Sequence, residues 1–273
     1  MSILNSTLGQ VTDYPDRYAP SLLFPIARRE GRAALGVSDA ALPFHGVDVW
    51  THYEASWLDT NGKPCIAVAE IRVPAVSPCL IESKSLKLYF NSLNFQRFAS
   101  PAEFMACVEK DLGAVAQAPV QLRLVLPHEY AAVAIGDMSG ECLDELPLHC
   151  TEFVLNPETL RTDAGQVVEE TLYSHLLRSN CPVTNQPDWG SVMIRYRGPA
   201  IDRTGLLAYL VSYRNHADFH EQCVERIFMD ITRRCRPEAL TVYARYTRRG
   251  GLDINPFRSS SDTLPPALRL FRQ

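Results

Sequence analysis

The chain has 273 residues, 46% of them hydrophobic, and a formal net charge of −4. That is enough apolar material for one large core or two modest ones, and the acidic balance argues against a surface made to grip nucleic acid. No apolar run reaches the length of a membrane span, no basic start followed by an apolar block marks a secretory signal, and the eight cysteines have neither CxxC spacing nor disulfide-scaffold density, so reduced thiols in a cytoplasmic protein are expected.

Residues 1–44 show no clear periodicity and are expected to be irregular. From there "VDVWTHYEASWLDTNGKPCIAVAEIRVP" reads as two strands around Asn61-Gly62, a hairpin turn pair. A helix pair is expected from about Ser83 to Leu112, and "VQLRLVLP" then alternates as a strand. The stretch from Pro127 to Pro147 reads as a joint. After it, "VVEETLYSHLLRSN" (167–180) puts Val168, Leu172, Leu176 and Ser179 on one helical stripe, with acids early and Arg178 late. Pro182 biases Cys181 away from the α region, so this helix should stop near Asn180 and leave Cys181 on loop backbone. Strand "SVMIRYR", a helical region from Thr204 to Arg234, and strand "LTVYARY" follow.

The second half repeats the order of the first. An offset of 120 sets "IESKSLKLYFNS" (81–92) on "IDRTGLLAYLVS" (201–212), with identities at 81/201, 86/206, 89/209 and 92/212, and with Glu82 meeting Asp202. "CVEK" (107–110) also faces "CVER" (223–226), at an offset of 116. A diverged duplication explains this, with modules at 45–127 and 148–273 and a joint at 128–147. The expected fold is α+β: tandem modules, each an antiparallel sheet with a helix pair on one face, joined edge to edge with the site at the junction.

The polar residues of the two halves diverge. "ESKSLK" in the first carries Glu82, Lys84 and Lys87, where the second reads "DRTGLL". Only the second carries Cys181, Asp188 and "FHE" (219–221). Complementary loss fits one site assembled from both halves; drifting surface charge fits as well. Cys181 can be a nucleophile with Asp188 as its proton-handling neighbour, or a structural thiol beside a turn-forming acid. His216 and His220, with Glu221 and Cys223 nearby, have some zinc-ligand character but lack the HExxH pattern, so no metal is expected. A carboxylate such as Glu221 accepts two parallel N–H bonds, which suits the edge of a guanine-like base. "RRGG" (248–251) can hold a phosphate or can be a basic turn.

Together "ESKSLKLY" (82–89), "CPVTNQPD" (181–188), "FHE" (219–221) and "RYTRRGGLDINP" (245–256) resemble the NADPH-dependent 7-cyano-7-deazaguanine reductases of queuosine biosynthesis, in their long two-module form. The resemblance implies a tunnelling fold (T-fold), in which small antiparallel sheets assemble into a barrel with sites at module interfaces, and a homodimer. It implies Cys181 as the nucleophile that forms a thioimide with the nitrile, Asp188 as its proton donor and His220 as a second one. Ile81, Glu82, Ser83, His220 and Glu221 would hold 7-cyano-7-deazaguanine, while Ser83, Lys84, Arg249 and Gly250 would meet NADPH. A zinc-dependent GTP cyclohydrolase-like enzyme of the same fold and a non-catalytic purine-binding module are the competing readings.

Overall fold

The Asn61-Gly62 turn closes the expected hairpin. Strand β2 (His45–Leu58) runs antiparallel to β3 (Pro64–Pro74), and Gly62 takes φ +84°, a region glycine enters at little cost. The computed structural model describes residues 14–151 and 153–273. Of the segment expected to be irregular, residues 1–13 lie outside the described part. Residues 14–44 are more ordered than expected: β1 (Pro25–Ala27) pairs with β4 (Cys79–Ile81), and α1 (Arg28–Ala34) follows β1 directly. This helix has almost no apolar stripe for a periodicity reading to find, because it buries the arginines Arg28 and Arg32.

Helices α2 (Ser83–Ser92) and α3 (Pro101–Ala116) come next, then β5 (Gln121–Val125) and the two-residue β6 (Glu141–Cys142). The second half supplies β7 (Thr162–Ser174), β8 (Arg178–Asn180), β9 (Pro187–Ile201), α4 (Arg203–Ser212), α5 (His220–Cys235), β10 (Ala239–Tyr246) and β11 (Leu252–Ser259). All strands but β1 and β4 form one sheet in the order β5-β3-β2-β11-β10-β9-β7-β6, with β8 paired to β9. Every pairing is antiparallel except the short β6–β7 contact. The halves meet edge to edge, as expected, along β2 and β11 from Leu252↔His52 to Ser259↔His45.

The helix expected over 167–180 is not formed; that stretch makes the end of β7, a bend and β8. Val168, Leu172 and Leu176 are spaced by four, which a strand also places on one side, so the spacing did not separate the two structures. Val167, Val168 and Thr171 are β-branched, and β9 offers a partner to both strands on either side of the bend, with Leu172 opposite Ile194 and Ser179 opposite Asp188.

The repeat is legible in atomic detail. Glu82 and Asp202 each cap the helix that follows with both carboxylate oxygens. Ser92 and Ser212 donate to the carbonyls of Tyr89 and Tyr209 at 2.6 Å, and those tyrosines donate to Asp111 and Asp230 at 2.7 Å. Helices α3 and α5 correspond at an offset of 119, where buried Phe104, Val108, Leu112 and Ala116 match Cys223, Ile227, Ile231 and Cys235. The "CVEK"/"CVER" match at 116 is therefore out of register and coincidental, since it would turn one helix's buried face to water. Among the described residues the first half has no counterpart of β11, and β5 stands at the sheet edge.

The helices cover one sheet face in two cores. One joins Trp57, Ile71, Phe104 and Leu112, the other Ile194, Val242, Ile227 and Phe228. The cores interlock: Leu252 and Ile254 of β11 pack in the first, Phe44 and Ala75 in the second. Among the described residues no helix is long and apolar enough to cross a membrane.

Candidate active site

Asn180 ends β8, and Pro182 together with the left-handed Asn185 (φ 55°) turns the chain back into β9. The loop is closed at its base, where the Cys181 N–H donates to the Gln186 carbonyl (2.9 Å) and the Asn185 N–H to the Cys181 carbonyl (3.0 Å). Cys181 thus sits at the mouth of a strand–strand hairpin, where a helix end had been expected. Asp188 is the second residue of β9, opposite Ser179. Cys181 is only 4% exposed, so its thiol is reached through the cleft and not from the open surface.

Asp188 is buried between two basic side chains. Its Oδ1 lies 2.9 Å from Arg249 Nε, and its Oδ2 lies 3.3 Å from His220 Nε2. Arg249, in the β10–β11 turn, also donates to the Gln186 side chain at 2.7 Å and so ties that turn to the cysteine loop. His220 opens α5, its ring stacked on Tyr246 at 3.9 Å between centroids. Its Nε2 is buried and lacks a well-aligned hydrogen bond; the indole N–H of Trp50, on β2, is buried without a partner too. A buried donor without an acceptor costs free energy unless a ligand supplies one. Glu221 follows His220, and burial pushes its carboxyl up to about 8.

Cys181, Asp188, His220, Glu221 and Arg249 from the second half, and Ile81 and Ser83 from the first, line one cleft. It encloses ≈ 410 Å³ including the space at its mouth and lies over the β2–β11 seam, with Trp50 and Ile254 as its floor. Three expected site residues, Glu82, Lys84 and Gly250, do not line it. Glu82 accepts from the backbone N–H groups of Lys84 (2.7 Å) and Ser85 (2.8 Å), the same task Asp202 performs in the repeat, so in this structure it caps its helix. Gly250 (φ +56°) packs close to Lys87: a Cβ there would stand 3.4 Å from Lys87 Cδ. Burial, then the nearby Arg249, lowers the Lys87 ammonium pKa. Lys87 and Trp50 are missing from the expected set; "ESKSLK" already displayed the lysine, whereas a tryptophan inside a strand pattern carries no such signal. His216 lies outside α5 beside Asp218, and among the described residues no three His, Cys, Asp or Glu side chains are grouped to hold a metal.

Two family models match the chain: the N-terminal part of the nitrile reductase 7-cyano-7-deazaguanine reductase over residues 14–124, and the QueF-like protein family over 187–264. Relatives named NADPH-dependent 7-cyano-7-deazaguanine reductase include one from Chromobacterium violaceum, 56% identical over 261 residues, covering 96% of this chain and 94% of the relative. One from Dechloromonas aromatica is 56% identical over 261 residues (96% and 92%), and one from Bordetella avium 54% identical over 274 (100% of each). Among solved structures, the archaeosine synthase QueF-Like in its apo form matches 36% of this chain and 96% of its own, at 17% identity and a TM-score of 0.31.

Proposed function

Because this chain belongs to the family of NADPH-dependent 7-cyano-7-deazaguanine reductases, we propose that it reduces the nitrile 7-cyano-7-deazaguanine to the primary amine 7-aminomethyl-7-deazaguanine, in queuosine biosynthesis, through a covalent thioimide on Cys181. The observation that carries the mechanism is the gathering of Cys181, Asp188, His220 and Glu221 around one cleft.

The nitrile carbon is electrophilic. Cys181 gives its thiol proton to Asp188 and adds through sulfur; the C–S bond forms as one C–N π bond breaks, and Asp188 hands the proton to the nitrogen. Arg249 and His220 hold the Asp188 carboxylate in place for both transfers. Each of two successively bound NADPH molecules would supply one hydride, for reduction of the thioimide carbon and then of the imine left once the C–S bond breaks. His220 supplies the second proton of the amine nitrogen during these reductions, and the released Cys181 thiolate is reprotonated from solvent. The burial of Cys181, only 4% exposed, limits access of water to the carbon it holds. Glu221 accepts the two N–H bonds of the base edge, with Ile81 and Ser83 against the base.

The residues present fit a dinucleotide. Arg249 supplies positive charge in the cleft, with Lys87 nearby and Lys84 one turn before it on α2, and the left-handed turn at Gly250, against which Lys87 packs, would present backbone N–H groups to a phosphate. We read the protein as a homodimer acting on the free base in the cytoplasm, which the unpaired edge at β5 and the eight unpaired cysteines support. The test is oxidation of NADPH on addition of the nitrile, expected at two NADPH per nitrile; no oxidation would overturn the reading.

A further inference from the structure

Glu221 stands at the second position of α5, and Glu225 lies one turn along the same side of the helix. Beneath them the β2–β11 seam changes character. Trp50 and Ile254 face each other as the floor of the cleft, and farther along the same face the floor becomes Asp48 and Arg258, both wholly buried. Arg258 donates to Asp48 Oδ1 at 2.8 Å and, through Nε and a terminal nitrogen, to Glu225 Oε1 at 3.1 and 2.9 Å. Arg28 of α1 donates to Asp48 Oδ2 at 2.5 Å. Arg32 takes the two Glu225 oxygens at 2.8 and 3.0 Å and holds Asp39 at 2.8 Å. Three buried arginines therefore face two buried carboxylates and a third, Asp39, that is 44% exposed. Among the described residues Glu221 has no ion-pair partner, and its negative charge would exceed what the arginines balance.

Building on the functional reading above, we infer that the Arg28–Asp48–Arg258–Glu225–Arg32 cluster is a positioning device for the base: by engaging every arginine it keeps the Glu221 carboxyl unpaired, so that seating the two N–H donors of the base drives one proton off Glu221. A protonated Glu221 opposes one of those N–H groups with its own O–H, whereas the carboxylate accepts both. The groups facing Glu221 come from every side: His220 and Asp218 at the start of its helix, Cys181 and Asp188 from the hairpin, Arg249 from the β10–β11 turn, Arg28 from α1, Asp48 from β2 and Arg258 from β11. Burial is the largest cause of the raised Glu221 pKa and Asp48 adds to it, while Arg28 and Arg258 oppose it. The acid and the bases of the cluster thus act on Glu221 with opposite sign.

The test uses the full chain carrying Cys181→Ala, which binds the nitrile without adduct formation. Titration calorimetry with the nitrile, in pairs of buffers of different ionisation enthalpy, counts protons exchanged from about pH 6 to about pH 9. The expected result is release approaching one proton per base below about pH 8, fading above it, with affinity rising over the same interval and then levelling. Adding Glu221→Gln should abolish the release. Asp48→Asn should move the interval to lower pH and Arg28→Gln to higher pH, whereas a merely structural role would move both alike. If Asp48→Asn does not fold, the parent's proton count and the direction of the Arg28→Gln shift decide. Failure of the nitrile to bind the Cys181→Ala protein would sink the functional reading itself. Binding with no proton released anywhere in the interval, or both shifts in one direction, would overturn the cluster's role alone.

Discussion

Helices α3 and α5 are the same device put to different uses. Each has sixteen residues and ends on a left-handed residue, Gln117 or Arg236. At its start α3 is closed off: Ser100 accepts from the Glu103 N–H, Glu103 accepts from the Ala99 N–H, and Pro101 removes a donor that would lack a partner. At the matching places α5 has Phe219, with no side-chain cap, then His220 and Glu221 facing the cleft. The hairpins differ in the same way. Asp59, the first residue beyond β2, folds its carboxylate onto the N–H groups of Asn61 and Lys63, whereas Cys181, the first residue beyond β8, has its side chain in the cleft. In the first half polar groups finish the fold; in the second, Gln222 still accepts the Phe219 N–H, but His220, Glu221 and Cys181 face the cleft.

The largest effects should come from the residues with no structural task in this contrast. Incubated with the nitrile alone, the wild-type protein should gain one substrate mass, mapped to Cys181, and Cys181→Ala should lose both adduct and turnover. An adduct on any of the other seven cysteines would assign the chemistry to another place. Asp188→Asn keeps the shape but cannot carry the proton, so adduct formation and turnover should fall by about 10²–10⁴-fold. Because Asp188 is buried against Arg249, which itself reaches water, that variant should also lose about 1 kcal/mol of stability, read by denaturant unfolding. Undiminished turnover in Asp188→Asn would reduce this acid to a fold-closing residue like Asp59.

Glu221→Gln should act next in size. It sets N–H against N–H at one contact with the base, a mismatch costing about 1–3 kcal/mol or about 5- to 150-fold in affinity for the nitrile, while NADPH affinity holds. Stability should move the other way. The folded-state pKa of Glu221 is raised to about 8 from 4.5, so the folded protein holds the proton longer, and wild-type stability declines as pH rises through that window. Glu221→Gln has no such group and should gain on the wild type between those limits, in thermal unfolding followed across pH. A constant difference between the two proteins would mean that Glu221 is already charged in the empty site.

The contrast also explains what could be read ahead of the structure. The edge-to-edge modules and the 120-residue match follow from local patterns, hairpin residues and periodicity, whereas the gathering of Cys181, Asp188, His220 and Glu221 follows only from the family resemblance that the short motifs carry. The buried cluster of Arg28, Arg32, Asp48, Glu225 and Arg258 could not be read, since its members come from four elements far apart in the chain and arginines on a short helix look like a solvated face. The segment 167–180 was misread because spacing by four serves both a strand and a helix. Glu82 is ambiguous for a related reason. A carboxylate before a helix can cap it or hold a ligand, and the residue type alone does not choose.

That choice yields the smallest predicted effect and bears most closely on the comparison. If Glu82 belongs with the fold-closing groups of the first half, Glu82→Gln and Asp202→Asn should behave as a pair. Each replaces one capping oxygen with an amide that cannot accept an N–H, and each should cost on the order of 1 kcal/mol in unfolding free energy. The KM for the nitrile should then change no more in the first variant than in the second, whose cap is not among the residues lining the cleft. A KM raised about tenfold in Glu82→Gln alone, with equal losses of stability, corresponds to about 1.4 kcal/mol of base binding. In that event Glu82 would both close its helix and hold the base, and the first half would contribute a ligand where the structure shows a cap.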